Sequence, residues 1–187
     1  MWRWLSIVGI LLAFASCERH GDAAKVTDLD GHAVDPLAGA TSPVVLLFVA
    51  TTCPISNRYA PEIRHIYDEF APRGVKFHLV YPSATESTAD IRDHVQKYAF
   101  PFGALRDPAH LLVARAAVHV TPEVAVFLPS GEVAYRGRID DRQVDFGVAR
   151  PEPTRRDLVL ALDAILGGRP VETKTTLPIG CSIPQAR

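Results

Sequence analysis

The chain has 187 residues, of which 48% are hydrophobic and 22% are charged. This length and balance exclude global disorder and predict one compact domain. The formal net charge of −1 excludes the broad basic surface that non-specific nucleic-acid binding requires. Three cysteines are too few for a disulfide-rich miniprotein and have no four-ligand zinc spacing, so we assign no metal or cofactor.

Residues 1–17 have the pattern of an export signal. Arg3 precedes an uncharged run, residues 4–16, which is too short to cross a bilayer comfortably but fits the apolar segment of a signal peptide. The run ends in Phe-Ala-Ser-Cys, which is similar to the lipidation site of bacterial lipoproteins. We therefore expect a protein of the periplasm or cell envelope, anchored by a lipid on Cys17. Plain cleavage without lipid is the alternative, because Phe14 stands where an aliphatic residue is usual.

The first elements predicted after the signal are a hairpin, a buried strand and a helix. Asp30-Gly31 is a turn signal and predicts a hairpin over Lys25–Asp35. The unbroken apolar run Val44–Ala50 is typical of a strand buried on both faces. A helical pattern follows Cys53, with one apolar face made of Tyr59, Ile63, Ile66, Tyr67 and Phe70.

The middle of the chain predicts one strand and two helices. Val75–Tyr81 is a second apolar strand. Ser87 and Asp90 have the spacing of a capping box, which predicts a helix that runs toward Tyr98. Another helix is predicted over Pro108–Ala117, because proline is tolerated in a first turn.

The last third predicts two strands, a helix and a tail. A Pro-Ser-Gly-Glu turn joins strands over Glu123–Leu128 and Val133–Arg138. Thr154 is expected to cap a helix with an apolar stripe that ends at Gly167-Gly168. The proline-punctuated residues 169–187 predict an extended tail.

This order of elements predicts an α/β domain over residues 25–168, with a mixed sheet flanked by helices on both faces. Cys53 stands where a buried strand meets a helix N-terminus. Unpaired backbone N–H groups there stabilise a thiolate, the form that attacks disulfides and peroxides. A lone cysteine is often an inert core residue, but this position and the export signal favour a reactive one.

The segment Phe48–Ser56 resembles the active-site turn of the thioredoxin fold. Pro61 stands where thioredoxins have a proline that kinks the following helix, and Thr121-Pro122 is similar to the Thr-Pro that precedes a thioredoxin strand. More narrowly, the chain resembles redoxins of the alkyl hydroperoxide reductase and thiol-specific antioxidant type, and among them exported bacterial redoxin-domain proteins. The resemblance implies a cis Pro122 facing the reactive sulfur, with Thr121, Pro122 and Pro54 binding the substrate.

The active-site turn departs from three related patterns. Ser56 replaces the second cysteine of thioredoxins, and we expect its hydroxyl to hydrogen-bond the sulfur. Leu46 and Ala50 replace the proline and the hydroxyl residue of peroxiredoxins, which argues against peroxidase activity. Asn57 replaces the second cysteine of copper-delivering relatives, so a copper(I) site would need Cys53 and Cys181, with His119 as a candidate third ligand.

Cys181 is the remaining candidate for a resolving cysteine, and a C-terminal resolving cysteine is a known arrangement in peroxiredoxins. We therefore expect a thiol-disulfide oxidoreductase in which Cys53 attacks and Cys181 resolves. The alternatives are a thiol peroxidase, a copper-binding module, and a non-catalytic interaction domain with a permanent Cys53–Cys181 bridge. The expected partners are a disulfide-containing protein, or a small thiol or peroxide, and an electron donor. We expect membrane contact only through the N-terminal anchor.

Overall fold

The computed structural model describes residues 25–186, so the predicted signal and Cys17 lie outside the described residues. The strands are β1 (Thr27–Asp28), β2 (Val44–Phe48), β3 (Lys76–Tyr81), β4 (Ala104–Arg106), β5 (Val120–Thr121), β6 (Glu123–Phe127), β7 (Val133–Gly137), β8 (Gln143–Asp145), β9 (Val148–Ala149) and β10 (Cys181–Ser182). The helices are α1 (Pro54–Arg58), α2 (Ala60–Phe70), α3 (Thr88–Lys97), α4 (Leu111–Ala116) and α5 (Asp157–Leu166), with a 3-10 turn over Ala71–Arg73. In this described part of the chain, no helix is both long and apolar enough to cross a bilayer.

Six strands form one mixed sheet in the order β1–β4–β3–β2–β6–β7. β2 and β4 pair in parallel with β3, whereas β6 is antiparallel to β2 and β7 is antiparallel to β6. Every residue of β2 is buried, as its unbroken apolar sequence predicts.

Two apolar clusters cover the two faces of the sheet. On one face, Val45 and Leu47 belong to a cluster with residues of α2, α3 and α5. On the other face, Leu46 and Phe48 belong to a cluster with Leu112 of α4. This arrangement confirms the predicted α/β fold with helices on both faces of a mixed sheet.

The helix after Cys53 is divided in two. Tyr59 separates α1 from α2, and Pro61 lies in the first turn of α2. Proline has no N–H to continue the hydrogen bonds of the preceding turn, which accounts for the break. The predicted apolar face is otherwise present, since Ile63, Ile66 and Phe70 are each 1% exposed or less.

Of the two helices predicted in the middle of the chain, one begins where it was predicted and the other begins later. The capping box of Ser87 and Asp90 forms as predicted and begins α3. In contrast, α4 begins at Leu111 and not at Pro108. The carboxylate of Asp107 accepts hydrogen bonds from the backbone N–H groups at the start of α4, and this side chain caps the helix at the later position.

The predicted cap of the last helix is wrong. Thr154 donates from its backbone N–H and its hydroxyl to the carboxylate of Asp141, so its side chain is engaged by a distant loop. The helix α5 begins three residues later, at Asp157.

The short strands β4, β5, β8, β9 and β10 were not predicted, whereas β1 lies in the hairpin predicted over Lys25–Asp35, which forms through the Thr27–Ala33 bridge. β4 pairs with β1, β8 pairs with β9, and β10 pairs with β5. Segments of two or three residues are too short to show the alternation that predicts a strand, and these strands form only because a partner is brought beside them.

The tail after α5 runs along one edge of the sheet toward Cys53. The backbone of Arg136 in β7 donates to Lys174 and accepts from Thr176, over 2.9 Å and 3.0 Å. Farther along, Cys181 lies opposite Thr121 in an antiparallel pair. The tail is thus held first by β7 and then by β5.

Candidate active site

Cys53 is the N-cap residue of α1, and only 2% of its surface is exposed. The backbone N–H of Ser56 donates to Cys53 Sγ over 3.5 Å. As a thiol, Cys53 donates to the carbonyl oxygen of Thr121, which lies 3.1 Å from the sulfur. The end of β2 and the first turn of α1 thus direct the sulfur toward the loop that precedes β6.

That loop contains a cis peptide bond between Thr121 and Pro122, as the resemblance implies. Both residues are buried. The hydroxyl of Thr121 also donates to the carbonyl oxygen of Cys181, over 3.4 Å. Thr121 therefore contacts both cysteines through its own polar groups.

Cys181 is 128 residues from Cys53 in sequence, yet the two sulfurs are 2.8 Å apart, with the Cys181 thiol donating to Cys53 Sγ. Both cysteines are free thiols in this structure. The sulfurs of a disulfide are about 2.05 Å apart, so bond formation here needs only a small movement. The β10–β5 pairing is what brings Cys181 to this place.

The two thiols differ in acidity. Burial raises the pKa of Cys53, but hydrogen bonds from Cys181 and Ser56 lower it more, and the net pKa is below the ordinary value. Burial, and then the neighbouring Cys53 sulfur, raise the pKa of Cys181 to about 11. The arrangement therefore favours a Cys53 thiolate that accepts a hydrogen bond from a protonated Cys181.

The loop before Cys53 is held by side chains from two other segments. Glu86 Oε1 accepts from the backbone N–H of Thr51 over 2.5 Å, and Asn57 Nδ2 donates to the Thr51 carbonyl over 3.1 Å. Both backbone polar groups of Thr51 are thus engaged. A fixed loop keeps the sulfur of Cys53 in place relative to Thr121 and Cys181.

Behind Asn57, a hydrogen-bonded chain leads into the core. His94 Nε2 donates to Asn57 Oδ1 over 2.8 Å, and the Tyr81 hydroxyl donates to His94 Nδ1 over 2.7 Å. Burial, assisted by the charge of Lys97, lowers the pKa of His94 to about 4. The imidazole is therefore neutral at neutral pH, as this pair of hydrogen bonds requires.

Of the predicted site residues, Ser56 is placed differently from the expectation. Ser56 contacts Cys53 through its backbone N–H; its buried hydroxyl has no hydrogen-bond partner among the described residues. The expected hydroxyl–sulfur hydrogen bond is therefore not formed. Pro54 occupies the first position of α1 and is exposed beside the buried sulfur.

The geometry does not place His119 with the two cysteines as a third copper(I) ligand. Within residues 25–186, the one group of at least three ligand atoms lying within 4.8 Å of one another is Asp28, Asp30 and His32, in the first hairpin. His119 is exposed and lies just before β5, and it does not complete a three-ligand site with Cys53 and Cys181. The predicted trio is thus only a pair.

An open cleft of about 640 Å³ lies over the two sulfurs. Its walls come from the loop before Cys53, the loop after β3, the helix α3 and the tail. Representative lining residues are Thr52, Cys53, Glu86, His94, Cys181 and Ile183. The cleft opens to solvent beside the buried sulfur of Cys53 and is walled on one side by the tail.

Sequence reasoning missed Glu86, Asn57 as a loop anchor, and His94. Asn57 and His94 lie in helices that their own patterns predict, and Glu86 lies in the loop before α3, but no spacing rule connects the three residues. The nearest available signal is the placement of His94 one turn after Ile91 on the buried face of a predicted helix, where a histidine needs a buried partner.

A comparison with protein families matches residues 21–136 to the AhpC/TSA family. The chain belongs to the AhpC/TSA family. The match includes Cys53 and the cis-proline loop and ends in β7, so the tail with Cys181 is outside it. Among curated proteins the comparison found no match.

Solved structures confirm the thioredoxin-like fold of this AhpC/TSA protein. An uncharacterized conserved protein from Geobacillus kaustophilus superposes with a TM-score of 0.75 at 25% identity, covering 86% of this chain and 87% of that one. The hypothetical protein SMc02350 from Sinorhizobium meliloti 1021 gives 0.71 at 21% identity, covering 84% and 88%. The MTB protein dsbF, in its mixed oxidized and reduced forms, gives 0.54 at 23% identity, covering 76% and 92%.

Proposed function

We propose that this AhpC/TSA protein is an exported thiol-disulfide oxidoreductase in which Cys53 is the nucleophile and Cys181 is the resolving cysteine. The observation that carries the proposal is the 2.8 Å separation of the two sulfurs. Their opposite pKa shifts support these roles, because a lowered pKa favours the attacking thiolate at Cys53 and a raised pKa keeps Cys181 protonated.

In the first step, the Cys53 thiolate attacks one sulfur of a substrate disulfide. A bond forms between Cys53 Sγ and that sulfur, the substrate S–S bond breaks, and the other substrate sulfur leaves as a thiolate that takes up a proton. The backbone of Thr121 lies beside the reacting sulfur and supports the substrate chain.

In the second step, Cys181 loses its proton to solvent and attacks Cys53 Sγ. The Cys53–Cys181 bond forms, and the remaining substrate sulfur leaves as a thiol. The substrate has then gained two electrons and two protons, and the protein holds the disulfide. An electron donor, which we expect to be a thiol, returns the disulfide to the reduced pair.

The test is to capture the intermediate in the full chain. With Cys181→Ser, a disulfide substrate is expected to remain attached to Cys53, and peptide mass mapping locates the adduct. The intact protein is expected to release the substrate and form Cys53–Cys181. Cys53→Ala is expected to abolish turnover, and turnover by that variant overturns the mechanism.

A thiol peroxidase is the second candidate, because the AhpC/TSA family match covers Cys53. The residues against it are Leu46 and Ala50, which stand where peroxiredoxins have a proline and a hydroxyl residue. Rapid hydroperoxide consumption with a sulfenate on Cys53 decides for the peroxidase. Slow consumption, with mixed disulfides formed readily, decides for the oxidoreductase.

A permanent bridge is a third possibility, and redox titration distinguishes it. A working pair opens and closes at potentials near those of known thiol oxidoreductases, whereas a structural bridge resists reduction by ordinary thiols. The 2.8 Å approach of the two sulfurs is common to both possibilities, so the titration decides between them.

Export and lipid anchoring at Cys17 are part of the proposal and rest on the sequence of residues 1–17. Fractionation of cells that express the full chain tests them. The protein is expected in the envelope membrane fraction, and Cys17→Ala is expected to abolish incorporation of labelled fatty acid. Recovery of the unprocessed chain in the cytoplasm contradicts export.

A further inference from the structure

The tail strand β10 occupies the place where a bound peptide would extend the sheet beside Cys53. Cys181 and Ser182 pair antiparallel with Thr121 and Val120, and the N–H of Ile183 donates to the carbonyl of His119 over 3.0 Å. A peptide that adds a strand at such an edge uses these same backbone groups. The chain therefore fills this edge with its own C-terminal segment.

The fit depends on a glycine. Gly180 is buried, and a Cβ added to it would collide with the carbonyl oxygen of Thr121. Its backbone is outside the left-handed region, so the close approach to Thr121, and not an unusual φ, excludes a side chain here. In any strand that presents a cysteine to Cys53 in this register, the residue before that cysteine lies against the same carbonyl.

The end of the tail is held separately from the part before it. Thr176 is fixed to β7, whereas Leu177 is 84% exposed and marks the start of the terminal segment. Ile179 packs against the cluster on one face of the sheet, and Ile183 packs against the cluster on the other. These two contacts and the β5 pairing are what the terminal segment loses if it lifts away.

We propose that residues 177–186 are an internal competitor for the substrate strand, and that the substrates are extended protein segments with glycine before the reactive cysteine. This inference rests on the proposed function. The substrate and the tail use the same edge of β5, so only one of them can be bound there at a time. Substrate thus reaches Cys53 after the terminal segment has left, and the backbone N–H of Ser56 is then the donor that remains at the Cys53 sulfur.

The same exclusion couples resolution to product release. While Cys53 is joined to the substrate sulfur, the substrate strand pairs with β5. When the tail returns, Cys181 Sγ attacks Cys53 Sγ, the Cys53–Cys181 bond forms, and the substrate leaves as a thiol after taking up the proton that Cys181 gave to solvent. The tail simultaneously takes over the backbone hydrogen bonds that held the substrate strand.

The test measures peptide exchange in full-length Cys181→Ser, which reacts in a single step. The probe is a peptide with the sequence of residues 177–186, supplied as its symmetric disulfide; attack by Cys53 forms one mixed disulfide and releases one peptide thiol. The rate of this exchange is divided by the rate at which iodoacetamide alkylates Cys53, which gives a relative rate. Adding Gly180→Ala is expected to raise that relative rate by roughly tenfold or more, because the tail is displaced from β5. Ile183→Ala is expected to act in the same direction without a clash.

Gly103→Ala is the matched control, since a Cβ at that position meets only His78 Nδ1 at 3.8 Å. It is expected to leave the relative rate unchanged. A second probe has alanine in place of the glycine before its cysteine, and it is expected to react more slowly with the Gly180→Ala protein than the glycine peptide does.

The outcomes separate the two proposals. Equal relative rates in all the variants overturn tail competition while leaving the oxidoreductase function intact. Equal rates for the glycine and alanine peptides overturn the substrate preference. If Cys53 forms no adduct with the peptides or with a small disulfide, the proposed function itself fails.

Discussion

At the scale of the residue, the sulfur of Cys53 has two hydrogen-bond donors, the thiol of Cys181 and the backbone N–H of Ser56. Donors to a thiolate lower its pKa, because they stabilise the charged form. Because α1 has only five residues, its dipole is small, and the lowered pKa of Cys53 is attributed to these two nearby donors.

Cys181→Ala is expected to raise the pKa of Cys53, because it removes the thiol donor. The rate of iodoacetamide alkylation at Cys53, followed by peptide mass mapping across a pH series, measures the change. The midpoint is expected to move to higher pH, and Cys181→Ser, whose hydroxyl still donates, is expected to move it less. An unchanged midpoint in the alanine variant contradicts the hydrogen bond.

Ser56→Ala is expected to leave the free energy of unfolding within about 1 kcal/mol of the original, since the buried hydroxyl has no partner within the described part of the chain. Asn57→Ala, one position later, is the comparison. It removes hydrogen bonds to Thr51 and His94 and is expected to cost about 1–3 kcal/mol. Denaturant unfolding measures both, and an equal loss of stability in the two variants contradicts this distinction.

At the scale of the element, side chains join segments that share no backbone pairing. His94 on α3 connects Tyr81 at the end of β3 with Asn57 on α1, and Asn57 in turn holds the loop before Cys53. The loop before Cys53 is therefore supported by the packing of three elements, each of which contributes one polar side chain to a buried hydrogen-bonded chain.

This network makes stability depend on pH. The pKa of His94 is about 4 in the folded protein and about 6.5 when unfolded, so the unfolded state binds more protons between these values. The stability that comes from neutral His94 is present above pH 6.5 and is lost as the pH falls toward 4, by up to about 3 kcal/mol. Denaturant unfolding across this range measures the loss.

His94→Gln is the control for that measurement. Glutamine does not titrate, so the variant is expected to be less stable at neutral pH but to lose less of its remaining stability on acidification. The same pH slope in the variant and the original assigns the effect to other groups.

At the scale of the whole molecule, the tail brings Cys181 from the end of the chain to Cys53. A Cys53–Cys181 bond closes a loop over a separation of 128 residues. In the chain-entropy model, so long a loop stabilises the fold by roughly 4–5 kcal/mol. The oxidised full chain is therefore expected to unfold at higher denaturant concentration than the reduced chain.

The comparison requires the Cys181→Ser variant under the same oxidising and reducing conditions. Its stability is expected to be independent of redox state, which shows that Cys17 does not account for the effect. A Cys53–Cys181 bond that is verified by peptide mapping but gives no added stability contradicts the expectation.

Local patterns in the sequence were sufficient for the strands and helices that contain their own signals. The apolar run of β2, the capping box at Ser87 and the amphipathic face of α2 depend on neighbouring residues, and the structure confirms them. The cap at Thr154 failed because a distant carboxylate, Asp141, competes for that side chain. A pattern cannot show such competition.

By itself, the sequence determined the α/β order, the strand-to-helix position of Cys53 and the Thr121-Pro122 motif, because each follows from residues that are adjacent in the chain. Only the tertiary structure decided that Cys181 lies against Cys53, that Glu86 and Asn57 hold Thr51, and that Gly180 meets the Thr121 carbonyl. Except for Asn57 and Thr51, these contacts join residues that are distant in sequence. They exist because the sheet order and the path of the tail bring those segments together. The separation of two residues along the chain does not indicate whether the fold brings them into contact.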